Sequence, residues 1–185
     1  YTSMQNFIEE QIDYLKNKEI YVRKEYHEKL KELIKSDNIT VVEWQRRVGK
    51  SSIIISYIKE INISLKKVFY INKKLNLLDI IKNVWDLKKL FEEFVNMYWE
   101  PKYIIIDEIQ DIESWEKFIR KYNSYKKYKI IITGSNSKLL SSELSSYLTW
   151  RYLTMHVWSF SYKEFIDFSW NKKSEESFNE YIEFW

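Results

Sequence analysis

Gly49-Lys50-Ser51 follows one apolar run, Ile39-Thr40-Val41-Val42, and precedes another, Ile53-Ile54-Ile55. Strand, turn with Gly-Lys-Ser, then helix is the layout of a phosphate-binding loop. Backbone N–H groups of such a turn, with the positive end of the helix that follows, hold phosphate oxygens. On this reading Arg47, Val48, Gly49, Lys50, Ser51 and Ser52 cradle the phosphates of a nucleotide. Lys50 reaches the β- and γ-phosphates, and the Ser51 hydroxyl is directed to Mg²⁺. The full pattern is G-x-x-x-x-G-K-[ST]. Residues 44–51 read Trp-Gln-Arg-Arg-Val-Gly-Lys-Ser, so only the first position departs. A bare Gly-Lys-Ser also arises by chance, at a helix start with an ordinary lysine.

A second group carries the other half of the chemistry. Tyr103-Ile-Ile-Ile-Asp107-Glu108 is a short apolar run closed by two carboxylates. On a buried strand this puts Asp107 at the carboxyl end of a sheet, beside a phosphate site. A carboxylate there suits the surroundings of Mg²⁺, and Glu108 is then placed to polarise an attacking water. Acidic residues also end strands simply by meeting solvent, but the order and spacing of the two motifs argue for a joint site. A third group, Thr133-Gly134-Ser135-Asn136, ends the next apolar run. Its polar side chains could sense a γ-phosphate, with Asn136 the candidate, and Gly-Ser-Asn is equally good turn chemistry. Arg151 is a candidate for stabilising transition-state charge; a surface arginine is the plainer reading.

These residues need a parallel sheet to position them. The apolar runs 39–42, 68–71, 102–106, 129–133 and 152–157 predict five strands, and the segments between them predict helices. Strands alternating with helices predict an α/β, three-layer αβα P-loop fold with a mostly parallel five-stranded sheet. Two helical pieces are expected within 5–35, with Tyr26, Leu30, Leu33 and Ile34 on one face of the second. A helix over 77–98 is expected to break near a capping Asp86. Ser114 is expected to cap the helix of Trp115, Phe118 and Ile119, and 137–148 to be helical. Ser161-Tyr-Lys-Glu164 is a capping box flanked by Phe160 and Phe165, a hydrophobic staple. The expected division is a helical lead-in over 1–36, an ATPase core over 37–158, and the start of a lid or linker over 159–185.

Composition narrows the class. The chain has 185 residues, a net charge of +3 and no cysteine. The charge is too small to argue for nucleic acid without a patch. The absence of cysteine excludes disulfides and zinc-thiolate sites and fits a cytoplasmic protein. No apolar run approaches the ~18 residues of a membrane span. His27 and His156 are isolated and lack metal-ligand spacing. The basic stretches 16–35 and 121–129 read as solvated helix faces. The chain starts at Tyr1 and stops at Phe184-Trp185 inside a continuing segment, so a piece of a longer protein is expected.

Taken together, Ile20-Tyr-Val-Arg23-Lys-Glu-Tyr26, Gln45-Arg-Arg-Val-Gly-Lys-Ser51, Ile106-Asp-Glu-Ile-Gln110, Ser114-Trp-Glu116, Thr133-Gly-Ser-Asn136, the Leu148–Arg151 segment and Ser159-Phe-Ser-Tyr-Lys-Glu-Phe165 resemble one family. It is the prokaryotic AAA-type P-loop ATPases whose ATPase domain precedes a C-terminal, nuclease-like domain of unknown function. The resemblance runs from about Ile20 onward. It implies an AAA+ fold of the ASCE type, ATP with Mg²⁺, and a C-terminal domain as partner. Assembly with further copies of itself stays open, as does a nucleic-acid partner, supported only by mild basicity and analogy. The function implied is a Mg-dependent ATPase that drives a conformational change. The alternatives are a nucleotide-gated switch with little hydrolysis and a nucleic-acid-handling ATPase module.

The departures from that family share one form. Where it has Gly at the first loop position this chain has Trp44, and where it usually has Gly the chain has Trp150 and Trp185. Trp99 and Trp170 also stand at turn-like positions, whereas Trp115 fits the family as Trp. The chain holds two Gly and eight Trp, where ordinary usage of ~7% predicts about thirteen Gly. GGA and UGA differ by one base, so glycine codons read as tryptophan would explain the pattern; a degenerate phosphate loop is the alternative.

Overall fold

A computed structural model describes residues 2–44, 50–72, 81–135, 148, 152–169 and 173–184. The five expected strands are present: β1 Ile39–Trp44, β2 Val68–Asn72, β3 Tyr103–Asp107, β4 Lys129–Ser135 and β5 Tyr152–Val157. They form one sheet in the order β2-β3-β4-β1-β5, and every pairing is parallel. The helices among the described residues are α1 Thr2–Asn17, α2 Lys24–Lys35, α3 Lys50–Glu60, α4 Val84–Tyr98, α5 Trp115–Ser124, α6 Tyr162–Ser169 and α7 Glu175–Phe184. None of them is long and apolar enough to cross a membrane.

The isoleucine runs make the strands apolar on both sides, and both sides are covered, as a parallel sheet requires. On one face Ile39, Val41, Phe69, Ile71, Ile104, Ile106, Ile130 and Ile132 pack with α4 and α5. On the other Val42, Val68, Ile105, Ile131 and Met155 pack with α2 and α3. Phe91 of α4 contacts Phe69, Phe118 and Tyr122, with ring centroids 4.4–5.7 Å apart. Rings in such angled pairs gain somewhat beyond their buried area.

α1 lies along β2, the edge strand. Its Phe7 and Ile8 join one core and its Leu15 the other. Between them Gln11, 2% exposed, accepts the Asn72 N–H through Oε1 at 2.9 Å. An edge strand otherwise presents unpaired backbone groups to other chains, and here a side chain satisfies one of them.

Two cap expectations are corrected. Asn83, not Asp86, caps α4; it accepts from the N–H groups of Trp85 and Asp86, while Asp86 reaches back to Asn83 N–H as the third residue of a capping box. Asn83 holds the position because its extended backbone, φ −145° and ψ 177°, suits a cap. Ser114 stands at the start of α5 but makes no capping hydrogen bond, because its backbone is left-handed, φ 57° and ψ 29°. The capping box of α6 is present, with Ser161 N–H donating to Glu164 Oε2 at 2.8 Å and Glu164 N–H to Ser161 Oγ at 3.3 Å. Phe160 stacks on Phe168 at 6.0 Å. Of the two helices expected around 77–98 and 137–148, residues 77–80 and 137–147 lie outside the described residues.

Arg23 fastens the segment before α2 to α6. Its Nε and Nη2 donate to the two Glu164 oxygens at 2.6 and 3.1 Å, and Nη1 donates to the Trp158 carbonyl at 2.9 Å. The guanidinium lies 4.3 Å from the Tyr26 ring centroid and 4.8 Å from that of Phe160. Burial pushes the Glu164 carboxyl upward, but hydrogen bonds from Arg23 and Ser161 outweigh it and hold the carboxyl below its ordinary value. β1 carries the opposite case. Glu43 is 1% exposed, and its only described polar neighbour is His156 Nδ1 at 3.2 Å. Burial pushes the Glu43 carboxyl up, against the opposing effect of His156.

Two predictions follow from these carboxylates. Arg23→Ala removes the guanidinium from the half-buried Glu164 and is expected to cost about 1.5–3 kcal/mol in urea unfolding. The native Glu164 value is depressed, so its contribution is present above the ordinary carboxylate range and lost as pH falls through the native value; Glu164→Gln removes that acid-side loss. Glu43 has the reverse sign. The native state holds its proton where the unfolded state releases it, so stability falls as pH rises from the ordinary carboxylate range to the raised native value. Glu43→Gln is expected to remove that fall and to match or exceed the parent stability at pH 7, and a lower stability at pH 7 refutes it.

Candidate functional site

The carboxyl ends of β1, β2, β3 and β4 lie along one margin of the sheet, because all five strands run the same way. With β4 between β1 and β3, the end of β4 stands between the strand that leads into residues 45–49 and the strand that ends in Asp107. α3 starts at Lys50, so Ser51 and Ser52 occupy its first turn, both half-buried. A strand ending at Trp44 and a helix starting at Lys50 therefore flank residues 45–49, the order expected around a phosphate loop. Arg47, Val48, Gly49, Asn136 and Arg151 lie outside the described residues, as do Trp150, Trp170 and Trp185. Lys50 and Trp44 are placed by their backbones only. The Trp44 backbone is strand, paired with Ser135 on one side and Val157 on the other.

A hydrogen-bonded chain joins Ser51, Asp107, Thr133 and Glu108. The Ser51 hydroxyl donates to Asp107 Oδ2 at 2.6 Å. The Thr133 hydroxyl donates to Asp107 Oδ1 at 2.5 Å and accepts the Glu108 backbone N–H at 3.0 Å. Asp107 and Thr133 are 2% and 0% exposed, so the carboxylate is oriented by two hydroxyls from neighbouring elements. Hydrogen bonds to a charged group contribute about 1.5–3 kcal/mol each. Glu108 leaves the strand in the left-handed region, φ 58° and ψ 50°, which is uncommon for a residue other than glycine. Its carboxylate accepts from Gln110 Nε2 at 2.7 Å. Sequence order brings Asp107 and Glu108 together, but the turn separates their tasks: Asp107 faces Ser51, and Glu108 is held by Gln110.

A second ring of polar groups comes from β2 and α1. Asn72 is the register partner of Asp107, and its Nδ2 donates to the Tyr70 hydroxyl at 3.4 Å. Tyr14 of α1 stacks on Tyr70, with centroids 6.2 Å apart and planes 15° from parallel. Burial, then the Asp107 charge, raises both phenols above their ordinary value, Tyr70 by the larger margin; hydrogen bonds with Ser51 and Asn72 act the other way. Both hydroxyls therefore stay protonated at neutral pH, and both stand close to the Ser51–Asp107 pair. Gln11 Nε2 is buried without a hydrogen-bond partner among the described residues.

Ser51 and Asp107 fit Mg²⁺ chemically. They are hard oxygen donors in contact with one another, and Mg²⁺ takes one or two protein oxygens while keeping water and phosphate oxygens for the rest of its shell. Ser51 and Asp107 are thus in direct contact, and the Glu108 backbone joins them through Thr133 while its carboxylate accepts from Gln110. Asn72, Tyr70, Tyr14, Gln11 and Gln110 were not singled out for the site, and Thr133 entered only as part of the group 133–136. Thr133 had a signal, a hydroxyl in register with the Asp107 face of an isoleucine strand. Gln11 and Tyr14 had none, since they arrive from a helix some sixty residues before the site they meet.

Comparison with known proteins agrees with this architecture. A family described as an AAA domain matches residues 36–166. An uncharacterized protein of Haemophilus influenzae is 31% identical over 153 residues, covering 81% of this chain and 38% of that protein. Uncharacterized protein MJ1544 of Methanocaldococcus jannaschii is 42% identical over 67 residues, covering 36% of this chain and 15% of its own length. The chain therefore spans well under half the length of these relatives. Among solved structures, Hsp104 with ATPγS and FITC casein in its closed state superposes with a TM-score of 0.60 at 15% identity, covering 85% of this chain and 30% of that one. A DNA polymerase III gamma subunit-related protein of Thermotoga maritima gives 0.51 at 16% identity, covering 77% of this chain and 48% of that one. At such identities these structures speak to the fold alone. α1 and α2 both precede the matched segment, so the helix that supplies Gln11 and Tyr14 lies outside it. On the strength of the match over residues 36–166, the chain belongs to the AAA domain family.

Proposed function

We propose that this chain is the ATPase unit of a longer protein: it binds ATP with Mg²⁺ at the loop over residues 44–51 and hydrolyses it to move a neighbouring domain. Membership of the AAA domain family supports a nucleotide-binding, ATPase-like role. The observation that carries the hydrolytic reading is the chain Ser51–Asp107–Thr133–Glu108, which joins a metal-suited oxygen pair, Ser51 of α3 and Asp107 at the end of β3, to the acidic base candidate next in sequence to Asp107.

The assigned roles are these. The loop amides and Lys50 bind phosphate. Ser51 and Asp107 hold Mg²⁺, which when bound neutralises charge on the phosphates. Glu108 accepts a proton from the attacking water. Asn136 senses the γ-phosphate, and Arg151 stabilises charge developing on the transferred group, in its own chain or across an interface between copies. Residues 159–185 lead toward a C-terminal domain, the first candidate for what the hydrolysis moves.

One observation favours a second reading, a nucleotide-gated switch with little turnover. Glu108 Oε2 is engaged by Gln110 at 2.7 Å, and a carboxylate held in this way is a weaker base toward water. Under hydrolysis, the Gln110 contact is a resting state that opens in the catalytic cycle.

The predictions are best measured on the chain and on its Trp44→Gly version together. Glu108→Gln is expected to lower turnover by about 10²–10⁴-fold, the usual worth of a positioned base, while ATP binding by calorimetry is unchanged; weakened binding with turnover intact contradicts the assignment. Gln110→Ala separates the two readings. It raises or preserves turnover if the contact is only a resting state, and leaves turnover at background in a switch. Tyr70→Phe keeps the ring and removes the hydroxyl. It is expected to shift the Mg²⁺ concentration giving half-maximal turnover and to lower the unfolding midpoint by about 1–6 °C, since Tyr70 is buried and its hydroxyl accepts from Asn72, a bond worth about 0.5–1.5 kcal/mol.

A further inference from the structure

We infer that the native polypeptide carries glycine at position 99 and, by the same decoding, at position 44, so that its phosphate loop is a complete G-x-x-x-x-G-K-S. The statement about position 99 stands apart from the proposed function; the importance of position 44 rests on it.

Position 99 ends α4. Its N–H donates to the Val95 carbonyl at 2.8 Å, and its backbone lies at φ 69° and ψ −175°. That combination is essentially confined to glycine, because a Cβ collides with the neighbouring peptide groups. Trp99 differs in this from Glu108 at φ 58°, ψ 50° and Ser114 at φ 57°, ψ 29°. Those two lie in the small left-handed basin that side chains other than glycine visit. A glycine that ends a helix, followed within two residues by proline, is the usual stop signal, and here Glu100 and Pro101 follow. Contacts of the indole cannot offset the strain, since Trp99 is 81% exposed. Trp115 shows what a tryptophan does where the fold uses one: it starts a regular helix and is 8% exposed within the core.

Position 44 needs a different argument. Its backbone is extended strand, paired on both sides, and it is not among the residues of positive φ. Left-handed strain therefore does not apply there. What applies is the motif: of the eight positions from 44 to 51, the first alone departs, and it does so by the same exchange as position 99. The shortage of glycine, two residues in the chain beside eight tryptophans, extends the exchange beyond one site. A glycine tRNA that reads UGA puts glycine wherever a tryptophan tRNA reading UGA puts tryptophan. This links both positions to one cause, and leaves tryptophan at UGG codons such as that expected for Trp115.

The test is peptide mass spectrometry on the protein purified from its own cells, over tryptic peptides 36–46 and 90–102. Glycine at 44 and 99 is expected. Tryptophan at 99 overturns the inference, and tryptophan at 44 alone overturns the complete loop. A second measurement uses the recombinant chain. Trp99→Gly is expected to raise the unfolding midpoint by about 2–4 °C or more, with Trp99→Ala, which keeps a Cβ, falling short of it. An equal gain from alanine refutes the backbone argument. Calorimetry with ATP and Mg²⁺ on the Trp44→Gly chain then separates the two proposals. Glycine found in the native peptides together with no ATP binding leaves the decoding intact and removes the ATPase reading.

Discussion

The Thr133 hydroxyl is the constraint on which the site depends. It is fully buried, donates to Asp107 and accepts from the Glu108 backbone. One oxygen thus fixes both the direction of the Asp107 carboxylate and the point at which the chain leaves β3. The arrangement works only because β4 lies between β1 and β3. If β1 and β3 were neighbours, no side chain could stand between them and be bonded to both the carboxylate and the turn. The same insertion gives Ser51 its distance from Asp107, 2.6 Å between oxygens, on a helix that starts from the far side of β4. A buried carboxylate that accepts two short hydroxyl bonds has little freedom to swing, so the metal-suited pair is preorganised.

The elements outside the matched AAA segment hold this margin from two directions. α1 closes the β2 edge and, through Gln11, takes the last N–H of the strand whose Asn72 is registered with Asp107. Tyr14 and Tyr70 then carry that contact to the neighbourhood of Ser51. On the opposite flank, Arg23 binds the Trp158 carbonyl just beyond β5 and the Glu164 carboxylate on α6. A change at the strand ends therefore has a polar path to the first helix, and the segment after β5 has one to the residues before α2. Each path runs through buried or half-buried hydrogen bonds, where losing one partner is costly.

The sheet was legible because its strands are runs of isoleucine and valine bounded by polar turns, and the pairing of Gly-Lys-Ser with Asp-Glu gave the order of the site. Three kinds of information were not legible. Long-range pairing was one: Arg23 and Glu164 each stood in a recognisable motif, but nothing in either indicated the other, 141 residues away. Local competition between caps was another. Asp86 and Asn83 are both good capping residues, and the choice fell to the backbone that the preceding segment presents. The third was the role of a residue overshadowed by its neighbours. Thr133 sat beside Ser135 and Asn136, which offered more obvious chemistry, and only strand alternation turns it toward Asp107.

The two anomalous tryptophans that the structure places are informative because they fail in different ways. At position 99 the backbone objects and the motif is silent. At position 44 the motif objects and the backbone is compatible with any side chain. A loop that had decayed by drift would give the second anomaly without the first, since the end of α4 has no part in binding phosphate. A sequence adapted to Trp99 would bury or stack the indole to offset its conformation, and this one leaves it in solvent. The remaining site residues also speak against decay. Ser51, Asp107 and Thr133 keep short, mutually consistent hydrogen bonds, and a buried charge with its partners in place is a costly arrangement to retain without use. The intact carboxylate margin and the glycine-shaped backbone at position 99 therefore both support the proposed phosphate loop with a small residue at its entrance.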